Sequence, residues 1–132
     1  MDPLARLTAE RAIEALILDY AAALDAGDWD AVAALFVPHG RMSRPSAPDV
    51  FIAGADAILA ALRARPARAS CHVVSQIRIA WEDDAAVRVS SVLQLYTAAA
   101  APPLVGAYAD RVIATDAGWR FLERRGSLAF PA

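Results

Sequence analysis

The order of apolar patterns along this chain predicts an α+β fold in which N-terminal helices pack on one curved, mainly antiparallel sheet. Three observations carry that prediction. The first part of the chain repeats its large apolar residues at helical spacing. Everything after Pro66 falls into long β-rich runs separated by turn residues. Helices come first and a meander of strands afterwards, the layout in which a sheet curls around one helical layer.

Taken in order, Thr8 is placed to cap a helix beginning at Ala9, with Ile13, Leu16, Ile17, Tyr20 and Leu24 on one face. Asp25-Ala26-Gly27 stops it, since glycine accepts the left-handed conformation that ends helices. Asp28 then caps a second short helix, 29–36, through Trp29, Val32, Leu35 and Phe36. Pro38, His39 and Gly40 end it, and Arg41 to Asp49 reads as a short extended piece followed by a loop of the kind that edges a pocket. A third helix, 55–65, buries Ile58, Leu59 and Leu62 and stops at Pro66. Long strands are expected over 71–82, 85–98, 104–115 and 119–130. Asp83-Asp84, Ala101-Pro102-Pro103 and Asp116-Ala117-Gly118 turn the chain between them. With no repeats or linker-like tracts, residues 1–132 read as one domain.

A length of 132 residues is enough to bury a core without staples. The composition is 58% hydrophobic, apolar enough to suggest an internal cavity or a subunit interface. A formal net charge of −2, with arginines scattered apart from Arg63, Arg65 and Arg68, leaves no footprint for nucleic acid. Cys71 is the only cysteine, so an intrachain disulfide and a cysteine metal cluster are both excluded. Its expected role is that of a small buried residue. His39 and His72 stand far apart without carboxylates at ligand spacing, so no metal site is expected, and His39 reads as an exposed turn residue. The residues from Met1 to Leu7 lack a secretion signal, and no run reaches the roughly 20 apolar residues of a membrane span. A cytoplasmic protein is expected.

Asp25 is the first candidate for chemistry. It lies on the flank of the apolar helix face, where partial burial would raise its pKa toward the range of a general acid or base. The alternatives are a solvated residue near a helix end and a hydrogen-bond anchor for the Gly27 corner. His72 is the second, because an imidazole paired with a carboxylate makes a proton-transfer dyad. Simple alternation groups His72 with Val74, Gln76 and Arg78, opposite Ile77, Ile79 and Trp81, which turns it outward unless the strand carries a bulge. Tyr108 and Asp110 share a strand face, and Arg124 on the next strand can reach Asp110. The three read either as a polar patch of the pocket or as a cross-strand ion pair worth up to about 1 kcal/mol, the reading we favour. Tyr20, Trp29, Met42, Phe51 and Tyr108 are the expected liners of a site for a flat, mostly apolar molecule.

Several strings in this order resemble the SnoaL-like branch of the nuclear transport factor 2-like superfamily, which also holds scytalone dehydratase, polyketide cyclases and steroid isomerases. They are Tyr20 to Asp30 at the first corner, Cys71-His72-Val73-Val74-Ser75, Gly106 to Asp110, and Gly118-Trp119-Arg120-Phe121 with Arg124. The resemblance implies a cone-shaped fold around an apolar pocket, a homodimer formed through the sheet, no cofactor and no metal. It also matches Asp25 to the catalytic aspartate and His72 to a pocket histidine of scytalone dehydratase-like members. Two positions depart from that pattern. Leu24 stands where the partner tyrosine is found, and Leu93 to Thr97 lacks a second histidine. The expected activity is therefore a cofactor-independent lyase, isomerase or cyclase acting on a hydrophobic carbonyl- or hydroxyl-bearing compound. The alternatives are a non-catalytic ligand-binding protein and an accessory subunit of an enzyme complex.

Overall fold

The computed structural model describes residues 1–131, so Ala132, the end of the expected domain, lies outside the described residues. Helix α1 runs Pro3–Ala26, six residues earlier at its start than the Ala9 expected from Thr8. Asp2 is the cap: its Oδ1 accepts the Ala5 N–H at 2.8 Å, and Pro3 fills a first-turn position that needs no amide donor. Thr8 instead donates its hydroxyl back to the Leu4 carbonyl at 2.9 Å, a bond compatible with a helix interior. The helix ends at Gly27, whose φ is 68°.

Helix α2 spans Trp29–Ala34, capped by the Asp28 carboxylate on the Ala31 N–H. It stops before Phe36, which was expected to end the helix and instead opens strand β1, Phe36–Arg44, in register with Phe121. The stretch expected to be a loop is the return arm of a hairpin, strand β2, Ala47–Ala53, paired antiparallel with β1. Pro48 is tolerated there because β2 is an edge strand. Helix α3, Ala55–Arg63, is two residues shorter than expected, with Ala64 as its C-cap. Strands β3 (Cys71–Asp83), β4 (Ala86–Tyr96), β5 (Leu104–Thr115) and β6 (Gly118–Leu128) complete the chain, β6 ending short of the expected Phe130.

The six strands form one curved, open sheet in the order β2-β1-β6-β5-β4-β3, antiparallel except where β1 runs parallel to β6. The apolar stripe of α1, with Val32, Ile58 and Leu62 from the shorter helices, packs against Val87, Val89, Leu93, Val112 and Phe121 of the sheet. Tyr20 stands at the centre of this contact, edge-on to Phe36, Tyr108 and Phe121 at centroid distances of 6.2, 6.1 and 5.7 Å. Among the described residues no helix is long and apolar enough to cross a membrane.

Candidate active site

A β-bulge decides which way His72 faces. On β3, Ser75 pairs with Val92 and Arg78 with Ser90, so three steps on β3 match two on β4 and one residue is extra. Gln76 has a φ of 52°, and Ser75 and Gln76 are both exposed where alternation would bury one of them. Beyond the bulge Ile77, Ile79 and Trp81 face the core; before it, Val74 and His72 do. The outward orientation expected from unbroken alternation is thereby reversed. Cys71 takes the opposite face to His72 and is exposed, not buried as expected.

The inward His72 meets Asp25 at the end of α1. His72 Nδ1 lies 2.5 Å from Asp25 Oδ1, and the His72 backbone N–H donates to Asp25 Oδ2 at 2.9 Å. Ser70 adds a third bond, its hydroxyl donating to Oδ1 at 2.9 Å. Partial burial pushes the Asp25 pKa up, but the His72 amide, the His72 ring and the Ser70 hydroxyl together outweigh it and hold the carboxyl below its ordinary value. The upward shift expected from burial is therefore overturned, because three donors converge on the two carboxylate oxygens. Asp25 is a carboxylate at neutral pH, and an ionised acceptor at Nδ1 assigns the ring proton to that nitrogen. Nε2 is then the basic atom.

His72 lines a cavity of about 520 Å³ between the helices and the sheet. Leu24, Trp29, Met42, Leu93 and Leu95 make much of its wall apolar, with the two tyrosines Tyr20 and Tyr108 among them. Burial raises the pKa of both phenols above the usual value, so both remain protonated donors at neutral pH. Of the expected liners, Tyr20, Trp29, Met42 and Tyr108 line the cavity and Phe51 does not. Phe51 sits on edge strand β2 with the Arg41 guanidinium 4.1 Å from its ring centroid. Asp25 is also absent from the wall and meets the cavity through His72 and Ser70.

Asp110 and Arg124 are register partners on β5 and β6, with side chains wholly removed from solvent. They do not line the cavity as expected; they lie behind the tyrosines that do. The Arg124 guanidinium stacks 3.8 Å from the Tyr108 ring centroid and 4.2 Å from that of Tyr20. Its Nε is 3.2 Å from Asp110 Oδ1, an ion pair by distance, yet the N–H is not aimed at the oxygen and neither side chain has a hydrogen-bond partner. Burial pushes Asp110 up to about 7 in spite of the Arg124 charge, and Glu123 adds to the rise. The cross-strand ion pair favoured from sequence is thus fully buried, with a large desolvation cost to offset.

The SnoaL-like domain model matches residues 5–125, nearly the whole chain. The chain belongs to the SnoaL-like domain family. It is similar to a provisionally assigned scytalone dehydratase from Novosphingobium aromaticivorans DSM 12444, with 30% identity and a TM-score of 0.83 over 96% of this chain and 87% of that one. It shares its fold with a nuclear transport factor 2-like protein of cystatin-like fold from the same species, at 20% identity and a TM-score of 0.86 over 98% of this chain and 87% of that one. The same holds for the hexachlorocyclohexane dehydrochlorinase LinA-type3 from Novosphingobium barchaimii LL02, at 14% identity and a TM-score of 0.84 over 98% and 92% of the two chains. No curated protein matches the chain.

Within this SnoaL-like domain the two departures from the dehydratase pattern are both on the cavity wall: Leu24 on one side, Leu93, Leu95 and Thr97 on another. His72 is accordingly its one histidine, since His39 is exposed on β1. Among the described residues no group of three His, Cys, Asp or Glu side chains comes together as a metal site would require. Three charged liners were not expected from the sequence to reach the cavity. Arg44, at the end of β1, and Arg65 and Arg68, between α3 and β3, all reach the cavity. Ser70, which fixes Asp25, was missed as well, although its place two residues before His72 puts it within reach of the same acceptor.

Proposed function

We propose that this SnoaL-like domain is a cofactor-independent acid-base enzyme of the lyase or isomerase type, acting on a small, mostly apolar molecule that bears a carbonyl or hydroxyl group. The observation that carries this reading is the His72 ring on the cavity wall with Nδ1 engaged by the Asp25 carboxylate. Asp25 keeps the proton on Nδ1 and leaves the Nε2 lone pair for the ligand. Nε2 takes a proton from the carbon beside a carbonyl, and the imidazolium that forms is stabilised by the carboxylate behind it. The same proton then passes to a departing hydroxyl, in a dehydration, or to a second carbon, in an isomerisation. Tyr20 and Tyr108, kept neutral by burial, supply hydroxyl donors for the oxygen on which charge develops. Asp25 acts through His72 and is a positioning residue.

Proton exchange tests this directly. Cyclic ketones incubated with the protein in D₂O are expected to exchange their α-hydrogens, followed by NMR. The exchange is expected to vanish in His72→Gln and to fall by about 10²- to 10⁴-fold in Asp25→Asn while ketone affinity is retained. Retained affinity with no exchange even in the wild type would instead favour a ligand-binding protein without catalysis.

A further inference from the structure

The acid-base reading leaves the arginines of the cavity unused, and their distribution is not random. Of the thirteen arginines in the chain, eight lie within 4.0 Å of a carboxylate among the described residues. Three of the remaining five, Arg44, Arg65 and Arg68, line this one cavity. Arg44 and Arg65 are half-buried, and the Arg44 Nε is shut off from water with no hydrogen-bond partner. Burial lowers the Arg65 pKa, and the neighbouring positive charges of Arg44 and Arg68 lower it further, although the guanidinium stays charged. Like charges gathered without a counter-ion are unfavourable in a wall that is otherwise largely apolar. The formal charge of the whole chain is negative, so the concentration is local. A bound anion would supply what is missing.

We propose that the natural ligand of this cavity is an organic anion, an apolar ring or short chain bearing a carboxylate, held through that carboxylate by Arg44 and Arg65 with Arg68 at the exposed rim. The proposal rests on the cavity being the substrate site and names the substrate class. The planar guanidinium suits a carboxylate because its paired N–H groups match the two oxygens, and among the described residues no carboxylate of the chain lies within 4.0 Å of Arg44, Arg65 or Arg68 to compete for them. Arg65, Arg68, Ser70 and His72 come from one short stretch between α3 and the start of β3, so a single segment carries both the anion contacts and the base. Anchoring one end of the ligand there fixes which carbon meets Nε2.

The test compares 1-naphthoate with its neutral isostere 1-naphthamide by isothermal titration calorimetry. The wild type is expected to bind naphthoate at least about tenfold more tightly than naphthamide. Arg65→Gln, at a half-buried site outside regular structure, is expected to bring the two affinities within about threefold of each other. Arg44→Gln is expected to do the same. Equal affinity of the wild type for both compounds, no binding of either at about millimolar concentration, or a preference that survives both substitutions overturns the proposal. Proton exchange of cyclic ketones by the wild type, measured in parallel, separates the two readings. A preference for naphthoate without any proton exchange would sink the acid-base reading alone, and exchange without a preference would sink the anion site alone.

Discussion

Asp25 at the end of α1 holds both the ring and the backbone of His72 at the start of β3, with Nδ1 2.5 Å from one carboxylate oxygen and the main-chain N–H 2.9 Å from the other. Two contacts from one planar group fix the ring's rotation as well as its tautomer, a stronger constraint than either bond alone. The same contacts tie the helical layer to an edge of the sheet.

Asp25→Asn retains the shape and removes the charge. An asparagine can turn its amide NH₂ toward Nδ1 and favour the wrong tautomer. Nitrogen-15 shifts of His72 are expected to show the Nδ1–H form in the wild type and a mixture or the Nε2–H form in the variant. Any proton-transfer rate is expected to fall by about 10²- to 10⁴-fold with little change in ligand affinity. An unchanged His72 tautomer would refute the positioning role.

Acid titration supplies an independent check. The Asp25 pKa is lower in the folded state than its ordinary 3.8, so the unfolded chain takes up the proton first as pH falls. Its contribution to stability is therefore present above about pH 3.8 and lost as pH drops through the lower folded value. The gap between urea midpoints of wild type and Asp25→Asn is expected to narrow over that acid range; a gap of constant size would contradict the shift.

The buried pair calls for a double-mutant cycle. Arg124→Met and Asp110→Leu each leave an uncompensated buried group and are expected to cost about 3–5 kcal/mol, while the double variant costs much less than their sum. The pH dependence runs opposite to that of Asp25. A folded pKa of about 7 against an ordinary 3.8 means stability that is fully present below the lower value and lost as pH rises through the higher. Asp110→Asn is expected to flatten that decline in thermal melts.

Gln76 tests the bulge. Its φ of 52° lies in the left-handed region, where a β-branched side chain is strained. Gln76→Val is expected to lose about 1–3 kcal/mol in urea denaturation. Gln76→Gly is expected to be neutral or to gain up to about 1 kcal/mol.

Gly126 tests the wall beneath Arg44. A Cβ there would lie 2.5 Å from the Pro45 nitrogen and 2.9 Å from the Arg44 carbonyl carbon, so Gly126→Ala must push that corner outward. A cost of about 1–3 kcal/mol is expected. Naphthoate affinity is expected to fall more than naphthamide affinity as Arg44 is displaced.

How much of this was legible in the sequence varied with the range of the forces involved. The stripe of α1 and its stop at Gly27 depend on neighbours within a few residues, and both were readable. Strand β1 was not, because Phe36 continues the helical spacing of Val32 and Leu35, while its parallel pairing with β6 links residues far apart in the chain. Asp25 and His72 were visible as candidates, but the bulge that joins them carries no glycine. Its one signal is the adjacent polar pair Ser75-Gln76 between two alternating apolar runs. Arg65 and Arg68 stood out only as part of a short cluster with Arg63, since nothing local reveals which arginines find a carboxylate across the fold.

Without the extra residue at Gln76, one uninterrupted alternation could turn either His72 inward or Ile77, Ile79 and Trp81 inward, never both. Chain length at this point thus matters more than side-chain chemistry: substitutions at Gln76 adjust stability, whereas a deletion forces a choice between base and core. Anyone transplanting the His72 segment into another scaffold of this kind would have to move the block from Ser70 through Gln76 whole, spacer included.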